Sequence, residues 1–317
     1  MTSVTTLRRL QPVAPADVVA IGRLHDAAEA ADGHPALNDA VWRDLDAGGH
    51  PGSAGVLATD GEHAVGYAHV ARSDSFSPPH WAVGLVVHPD RRGTGLEAEL
   101  LGAVVHHVEA EGGGPVVLWL LGADEDDDDA VGAAGFTPQR DLLQMRVALP
   151  LSEEPRWPPD TEVRTFVPGQ DDDAWLEVNN RAFANHPEQG GWIRDTLRRR
   201  LAEPWFDPAG FLLAVDDQGI AGFCWTKVHP PSPGEQGPLG EIFVIGVDPS
   251  RQGTGLGRAL TLVGLASLAD RGVRTGMLYV DGANEPALRL YRSLGFETHR
   301  RDRAYAREVV GSARMGQ

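Results

Sequence analysis

Thiols and ammonium groups are nearly missing from this 317-residue sequence. Cys224 is the single cysteine, which excludes an internal disulfide and any metal site built from several thiolates. No histidine falls at metal-ligand spacing either, so no metal is expected. Lys227 is the single lysine among 28 basic residues, which face 45 acidic ones for a formal charge of −17. That balance argues against nucleic-acid or anionic-membrane partners, because phosphate-rich surfaces need clustered positive charge. Any phosphorylated ligand must be held by local geometry, not by the overall field. Apolar runs such as Val116 to Leu121 fall far short of the roughly 20 residues a membrane span requires. Met1 to Gln11 lacks the basic and then apolar order of a secretory leader. The expectation is a cytoplasmic monomer acting on a small molecule.

What is present is a repeat. Val87-His88-Pro89-Asp90-Arg91-Arg92-Gly93-Thr94-Gly95-Leu96 recurs as Val247-Asp248-Pro249-Ser250-Arg251-Gln252-Gly253-Thr254-Gly255-Leu256, and Ala134-Gly135-Phe136 recurs as Leu294-Gly295-Phe296. Both matches are displaced by 160 residues, the mark of a tandem duplication. Between the copies, Pro150, Pro155, Pro158 and Pro159 stiffen the chain and remove backbone donors, so 150–160 reads as a linker between domains 1–149 and 161–317. Each half has the same order: helix, two strands, an apolar strand entering the glycine turn, a long helix, a buried strand, a short helix and a final strand. Alternating strands and helices predict an α/β sheet fold in each half.

Each glycine turn lies between an apolar strand and an amphipathic helix. Glycines allow the backbone to approach a ligand closely. The free N–H groups and positive dipole end of the following helix suit a pyrophosphate. A Walker loop would need Gly-Lys-Ser/Thr, and a dinucleotide fingerprint would need a further glycine and an acidic residue on the next strand. Neither is present.

The sequence around Gln252, Gly255 and Gly257 resembles the acetyl-CoA signature of the GNAT superfamily of N-acetyltransferases, Gln/Arg-x-x-Gly-x-Gly/Ala. Arg92 and Gly95 match in the first half, where Glu97 replaces the last small residue. The resemblance implies two tandem GNAT domains, each a mixed, largely antiparallel twisted sheet flanked by helices. It implies acetyl-CoA bound by Ile245, Gly246 and Val247, by Gln252, Gly253, Thr254, Gly255, Leu256, Gly257 and Arg258, and by Asn284 and Arg289. The first-half counterparts are Leu85, Val86, Val87, Arg92, Gly93 and Gly95.

The constant offset then separates the halves. Glu241 corresponds to Trp81, Tyr291 to Val131 and Asn284 to Asp124. Transfer to an amine needs an acceptor for its proton and a donor for the departing thiolate. Glu241, acting through water, and Tyr291 are placed for these roles, and the first half lacks both. It is expected to be catalytically silent. The acidic run 124–129 reads as a solvated loop near where phosphates would lie.

Two segments suggest the acceptor: Ala182-Phe183-Ala184-Asn185-His186-Pro187-Glu188-Gln189-Gly190-Gly191-Trp192 and Gly222-Phe223-Cys224-Trp225-Thr226-Lys227-Val228-His229-Pro230. Together with the duplication, they resemble a tandem branch of the superfamily that acetylates the cysteinyl amine of a cysteinyl-glucosaminyl-inositol conjugate. That resemblance implies substrate contacts from Asp39, Glu188, Lys227, Glu241 and Tyr279. The magnitudes agree in kind. An α-amine of pKa about 7.7–8.0 loses its proton at pH 7 for about 1–1.4 kcal/mol, against about 4.6 kcal/mol for a lysine. Another small amine, or a silent acyl-CoA-binding module, are the competing readings. Cys224 and His186 read as packing or surface residues, as does His229.

Overall fold

The computed structural model describes residues 5–73, 79–184, 189–231 and 237–312, with the side chain of Asp39 outside that set. In chain order the elements are β1 (Thr5–Leu10), α1 (Pro15–Asp32), α2 (Asp39–Asp46), β2 (Ser53–Asp60), β3 (His63–Ser73), β4 (His80–Val87), α3 (Leu96–Ala110), β5 (Gly113–Leu120), α4 (Glu125–Gly132) and β6 (Thr137–Ala148). The second half follows with β7 (Glu162–Thr165), α5 (Asp172–Ala182), α6 (Arg194–Leu201), β8 (Phe211–Asp216), β9 (Gly219–His229), β10 (Leu239–Val247), α7 (Leu256–Asp270), β11 (Thr275–Asp281), α8 (Glu285–Ser293) and β12 (Glu297–Val310).

Two compact units result. The first holds the chain up to Leu142 with Asp281–Ala283 and the residues from Arg300 onward; the second holds Leu143–Val280 and Asn284–His299. The first unit's strands run β1-β2-β3-β4-β5-β12, and the second's run β7-β8-β9-β10-β11-β6. Each unit thus takes its last strand from the opposite half of the sequence. Arg303–Val310 of β12 pairs antiparallel with Leu120–Gly113 of β5. Leu149, just past β6, donates its N–H to the Arg274 carbonyl at 2.9 Å. The repeat offset survives this exchange, because both halves end in an equivalent strand.

Among the registered pairs, only β4–β5 and β10–β11 are parallel, so each sheet is mixed and mostly antiparallel, as expected. Alternation along the strands buries both faces. In the second unit one face carries Cys224, Ile242 and Leu278 against Leu256, Leu260 and Leu268 of α7. The i, i+4 spacing of these helix residues makes one apolar stripe. The other face carries Phe211, Phe223 and Trp225 against Trp175 of α5 and Leu197 of α6. Phe211 stacks on Trp225 at 4.4 Å, and stacked aromatics of this kind add about 0.5–1.5 kcal/mol beyond burial.

The long helices, α1 and α5, and the strands leading into and out of the glycine turns lie where periodicity places them. Four elements escaped it: β1, α2, β7 and α6. Arg194–Leu201 contains four arginines and one buried residue, Leu197, too little apolar signal to show a face. The acidic run needs correction. Glu125 to Asp129 are the first turns of α4, not a loop, with Asp124 as N-cap in a reciprocal capping box with Asp127. Carboxylates are favourable at a helix N-terminus, where four N–H groups lack partners.

Candidate active site

The second glycine turn is built as its sequence requires. Gly253 and Gly255 have φ of +78° and +88°, conformations that side-chain-bearing residues rarely adopt. Thr254 braces the turn by donating its hydroxyl to the Arg251 carbonyl at 2.8 Å. Asp248 accepts from the Ser250 N–H at 2.9 Å. Gly255 caps α7 without a side-chain hydrogen bond, which leaves the first-turn N–H groups of Leu256, Gly257 and Arg258 without a side-chain cap. A Cβ on Gly257 would touch nothing closer than 3.8 Å; its smallness matters for what it leaves open.

The strand before the turn carries a second feature. β10 runs parallel to β11 from Leu239↔Thr275 to Ile242↔Leu278, and an irregularity falls between Ile242 and Val244. Beyond it, among the described residues, Ile245, Gly246 and Val247 register with Cys224, Phe223 and Gly222 of β9 only. Their other edge is free to bond an extended amide chain. In the first unit, β4 leaves β5 the same way after Val83↔Leu118, freeing Leu85, Val86 and Val87.

Glu241 lies on the β10 segment that still pairs with β11, directly across from Lys227. Its carboxylate is largely buried, 8% exposed, and Oε2 lies 2.6 Å from Nε2 of His229. Lys227 and His229 are two residues apart on β9, so they share the face of Glu241. The Lys227 ammonium sits 4.9 Å from the ring centre of Trp205 and 5.9 Å from that of Phe243. Tyr279 follows Met277, the registered partner of Glu241, on the same face. Its hydroxyl accepts from Gln144 at 2.7 Å, and the ring is 38% exposed.

Tyr291 is not beside this group. It belongs to the core between the sheet and α7, 5.6 Å from the Phe296 ring, on the opposite face from Glu241. Burial, with a smaller contribution from Cys224, pushes its phenol well above the ordinary range. Cys224 itself is fully enclosed, and burial alone pushes its thiol up to about 12. A thiol held neutral this way is no nucleophile.

The remaining anticipated residues are more scattered. Asn284 is the N-cap of α8 and accepts from the Ala287 N–H at 3.2 Å. Arg258 holds Glu153 at 2.6 and 2.7 Å and Ser293 at 2.7 Å; Arg289 lies 3.7 Å from Glu285. Both pairs are exposed and therefore easily exchanged for another anion. Asp39 opens α2, but its side chain lies outside the described set, and Glu188 and His186 lie outside the described residues altogether. The flanking part of that segment is fixed: Asn180 donates to the Trp192 carbonyl and accepts from the Trp192 N–H, both at 2.8 Å. His229, read from the sequence as a packing or surface residue, instead lies against the Glu241 carboxylate. The signal was its place two residues from Lys227, on the strand that pairs with Glu241.

The acetyltransferase (GNAT) family matches this chain twice, over residues 21–136 and 173–296. The chain belongs to that family. It is a tandem-domain N-acetyltransferase, and the fold supports acetyl-CoA as its acetyl source. Among curated proteins it is 47% identical to a mycothiol acetyltransferase of Thermobispora bispora, covering 92% of this chain and 97% of that protein. It is 42% identical to a mycothiol acetyltransferase of Streptomyces avermitilis over 96% of both chains. Among solved structures, a GCN5-related N-acetyltransferase from Sphaerobacter thermophilus superimposes with a TM-score of 0.70 at 27% identity, covering 98% and 97% of the two chains. A tandem GNAT protein from the clavulanic acid biosynthesis pathway shares the fold, with a TM-score of 0.69 at 17% identity over 98% and 100%.

Proposed function

We propose that the chain acetylates the cysteinyl amine of a cysteinyl-glucosaminyl-inositol conjugate, the step that completes mycothiol, and that the second unit alone performs it. The observation that carries this reading is the enclosed Glu241 carboxylate, with His229 at 2.6 Å and Lys227 beside it, on the strand that leads into the acetyl-CoA turn. The curated relatives supply the substrate.

In this mechanism the N–H groups of the glycine turn and of the start of α7 hold the pyrophosphate. The free edge of Ile245 to Val247 aligns the pantetheine arm. The gap where β10 leaves β11 opens the thioester to both faces of the sheet. Glu241, steadied by His229, takes the ammonium proton through a water molecule. The amine nitrogen then bonds to the acetyl carbon as the carbon–sulfur bond breaks, and the extra proton left on that nitrogen passes to solvent as the amide forms. Tyr291, kept protonated by burial, delivers its proton to the departing sulfur from the other face. Glu241, Lys227 and Tyr279 line the substrate side, with Glu188 and Asp39 as further candidates. No step calls for a metal.

The test is thiol release from acetyl-CoA with cysteinyl-glucosaminyl-inositol as acceptor, beside the same molecule lacking the cysteine. Release only with the cysteinyl compound is the expected result. Equal release with both would remove the cysteinyl amine as acceptor and point to another small amine.

A further inference from the structure

The first unit has a cleft of about 870 Å³ where its own acetyl-CoA site would be. Its walls are the strand edge Leu85 to Val87, the glycine turn at Gly93 and Gly95, Leu120 after the splay, and α4. The geometry is that of a ligand site, and its volume falls within the roughly 300–1,000 Å³ of small-molecule pockets. Its chemistry is the reverse of a phosphate site. Glu97, in the position of Gly257, turns back and accepts the Gly93 N–H at 3.2 Å, occupying a donor the turn would offer a pyrophosphate. Arg92 is held by both oxygens of Asp32 at 2.7 Å. Ala98 stands where the second unit has Arg258, and Asp129 where it has Arg289. Asp124, Asp126 and Asp127 also line it, with His34 among them.

Among the described residues, one buried side-chain atom there lacks a partner. Glu97 is 7% exposed, and its Oε2 is buried without any hydrogen bond. A buried, unmatched carboxylate oxygen costs folding free energy unless something donates to it. Asp127 feels the same surroundings: burial, opposed by the Asp124 N–H, pushes its carboxyl above the ordinary range.

We propose that the first unit's cleft binds a small aliphatic amine in its ammonium form and does not bind acetyl-CoA. An ammonium brings three donors and no acceptor, matching Glu97 Oε2 and the neighbouring aspartates. Leu120 offers an apolar side chain to the alkyl part, while Leu85 to Val87, whose side chains pack into the cores on either face, present their backbone edge. A pyrophosphate would meet carboxylates, a filled donor and an arginine already paired.

The experiment is calorimetric titration of the full chain with putrescine, spermidine and acetyl-CoA, each alone and with the other present. It reads binding, so it stands or falls independently of which amine is acetylated. The expected result is one equivalent of acetyl-CoA per chain and one of the polyamine, with polyamine affinity unaffected by saturating acetyl-CoA. Glu97→Gln should weaken polyamine binding at least about tenfold, the scale of one charge-assisted hydrogen bond, at a Tm no lower than that of the wild type. Asp126→Asn, on the exposed rim, should weaken it by a smaller factor. Two equivalents of acetyl-CoA would overturn the proposal. So would polyamine binding that Glu97→Gln leaves unchanged, which is attraction to the chain's general negative charge, and so would no polyamine binding at millimolar concentration.

Discussion

The two glycine turns have nearly the same backbone and opposite chemistry. Gly93 and Gly95 have φ of +67° and +92°, close to the +78° and +88° of Gly253 and Gly255. Thr94 and Thr254 make the same bond to the carbonyl three residues earlier, at 2.6 and 2.8 Å. Both turns lead into 15-residue helices capped by a glycine. Yet one turn faces Glu97 and the acidic α4, and the other faces Gly257 with Arg258 and Arg289 nearby. The shared backbone is what a strand-to-helix turn requires, and it tolerates either occupant. On the proposals made for the two clefts, ligand choice sits in a few side chains placed on that scaffold, and a match to the turn motif alone does not establish what the turn holds.

The sharpest break of this comparison is at the proposed proton acceptor. Trp81 holds the first unit's equivalent of Glu241. It is buried and gives its indole N–H to the Gly113 carbonyl at 3.2 Å, a structural role. Glu241→Gln keeps the size and a hydrogen-bonding partner for His229 but removes the base. Turnover should fall about 10²–10³-fold, within the range of general-base effects, while acetyl-CoA affinity stays within about twofold. A parallel loss of affinity and Tm would make Glu241 a structural residue like Trp81.

A second substitution converts one turn toward the other. Gly257→Glu introduces the residue found at Glu97, at a helix start where a carboxylate is tolerated and where a Cβ has room. The introduced carboxylate should cap the Gly253 N–H, as Glu97 caps Gly93, and repel the pyrophosphate. Losing one charge-assisted hydrogen bond, about 1.5–3 kcal/mol, predicts acetyl-CoA affinity about 10–100-fold weaker at an unchanged Tm. Unchanged affinity would mean that the pyrophosphate is held elsewhere, and the contrast between the two clefts would lose its basis.

Much of this was legible before any coordinates. A constant offset, two glycine turns and alternating apolar segments show a duplicated α/β fold, the family resemblance supplies its mixed sheet, and position-by-position comparison separates Glu241 and Tyr291 from their first-half counterparts. The exchange of β6 and β12 was not legible, because a final strand's composition does not name the edge it joins. Nor was the role of Glu97, which reads as a departure from a motif until its carboxylate is seen bonded to Gly93. His229 was hidden because its meaning comes from the β9–β10 register, and α6 because four arginines masked one buried leucine. The segment containing Glu188 stays a sequence inference.

The smallest effect expected is at Tyr291, whose first-unit equivalent is Val131, 1% exposed. Both side chains fill the core beneath their helix, so the ring packs and only the hydroxyl is special. Tyr291→Phe should therefore leave Tm nearly unchanged while lowering kcat about tenfold. That is below the usual range of about 10²–10⁴ for acid–base assistance, because a thiolate is a good leaving group that needs its proton less than an alkoxide would. The sign of the pH dependence follows from burial. The folded phenol titrates above its ordinary value, so the donor stays protonated throughout the working range, and the wild-type profile should show no basic limb from Tyr291 below about pH 10. If the Phe variant instead matches wild type in kcat at every pH, the tyrosine is packing alone, as Val131 is, and the departing thiolate takes its proton from solvent.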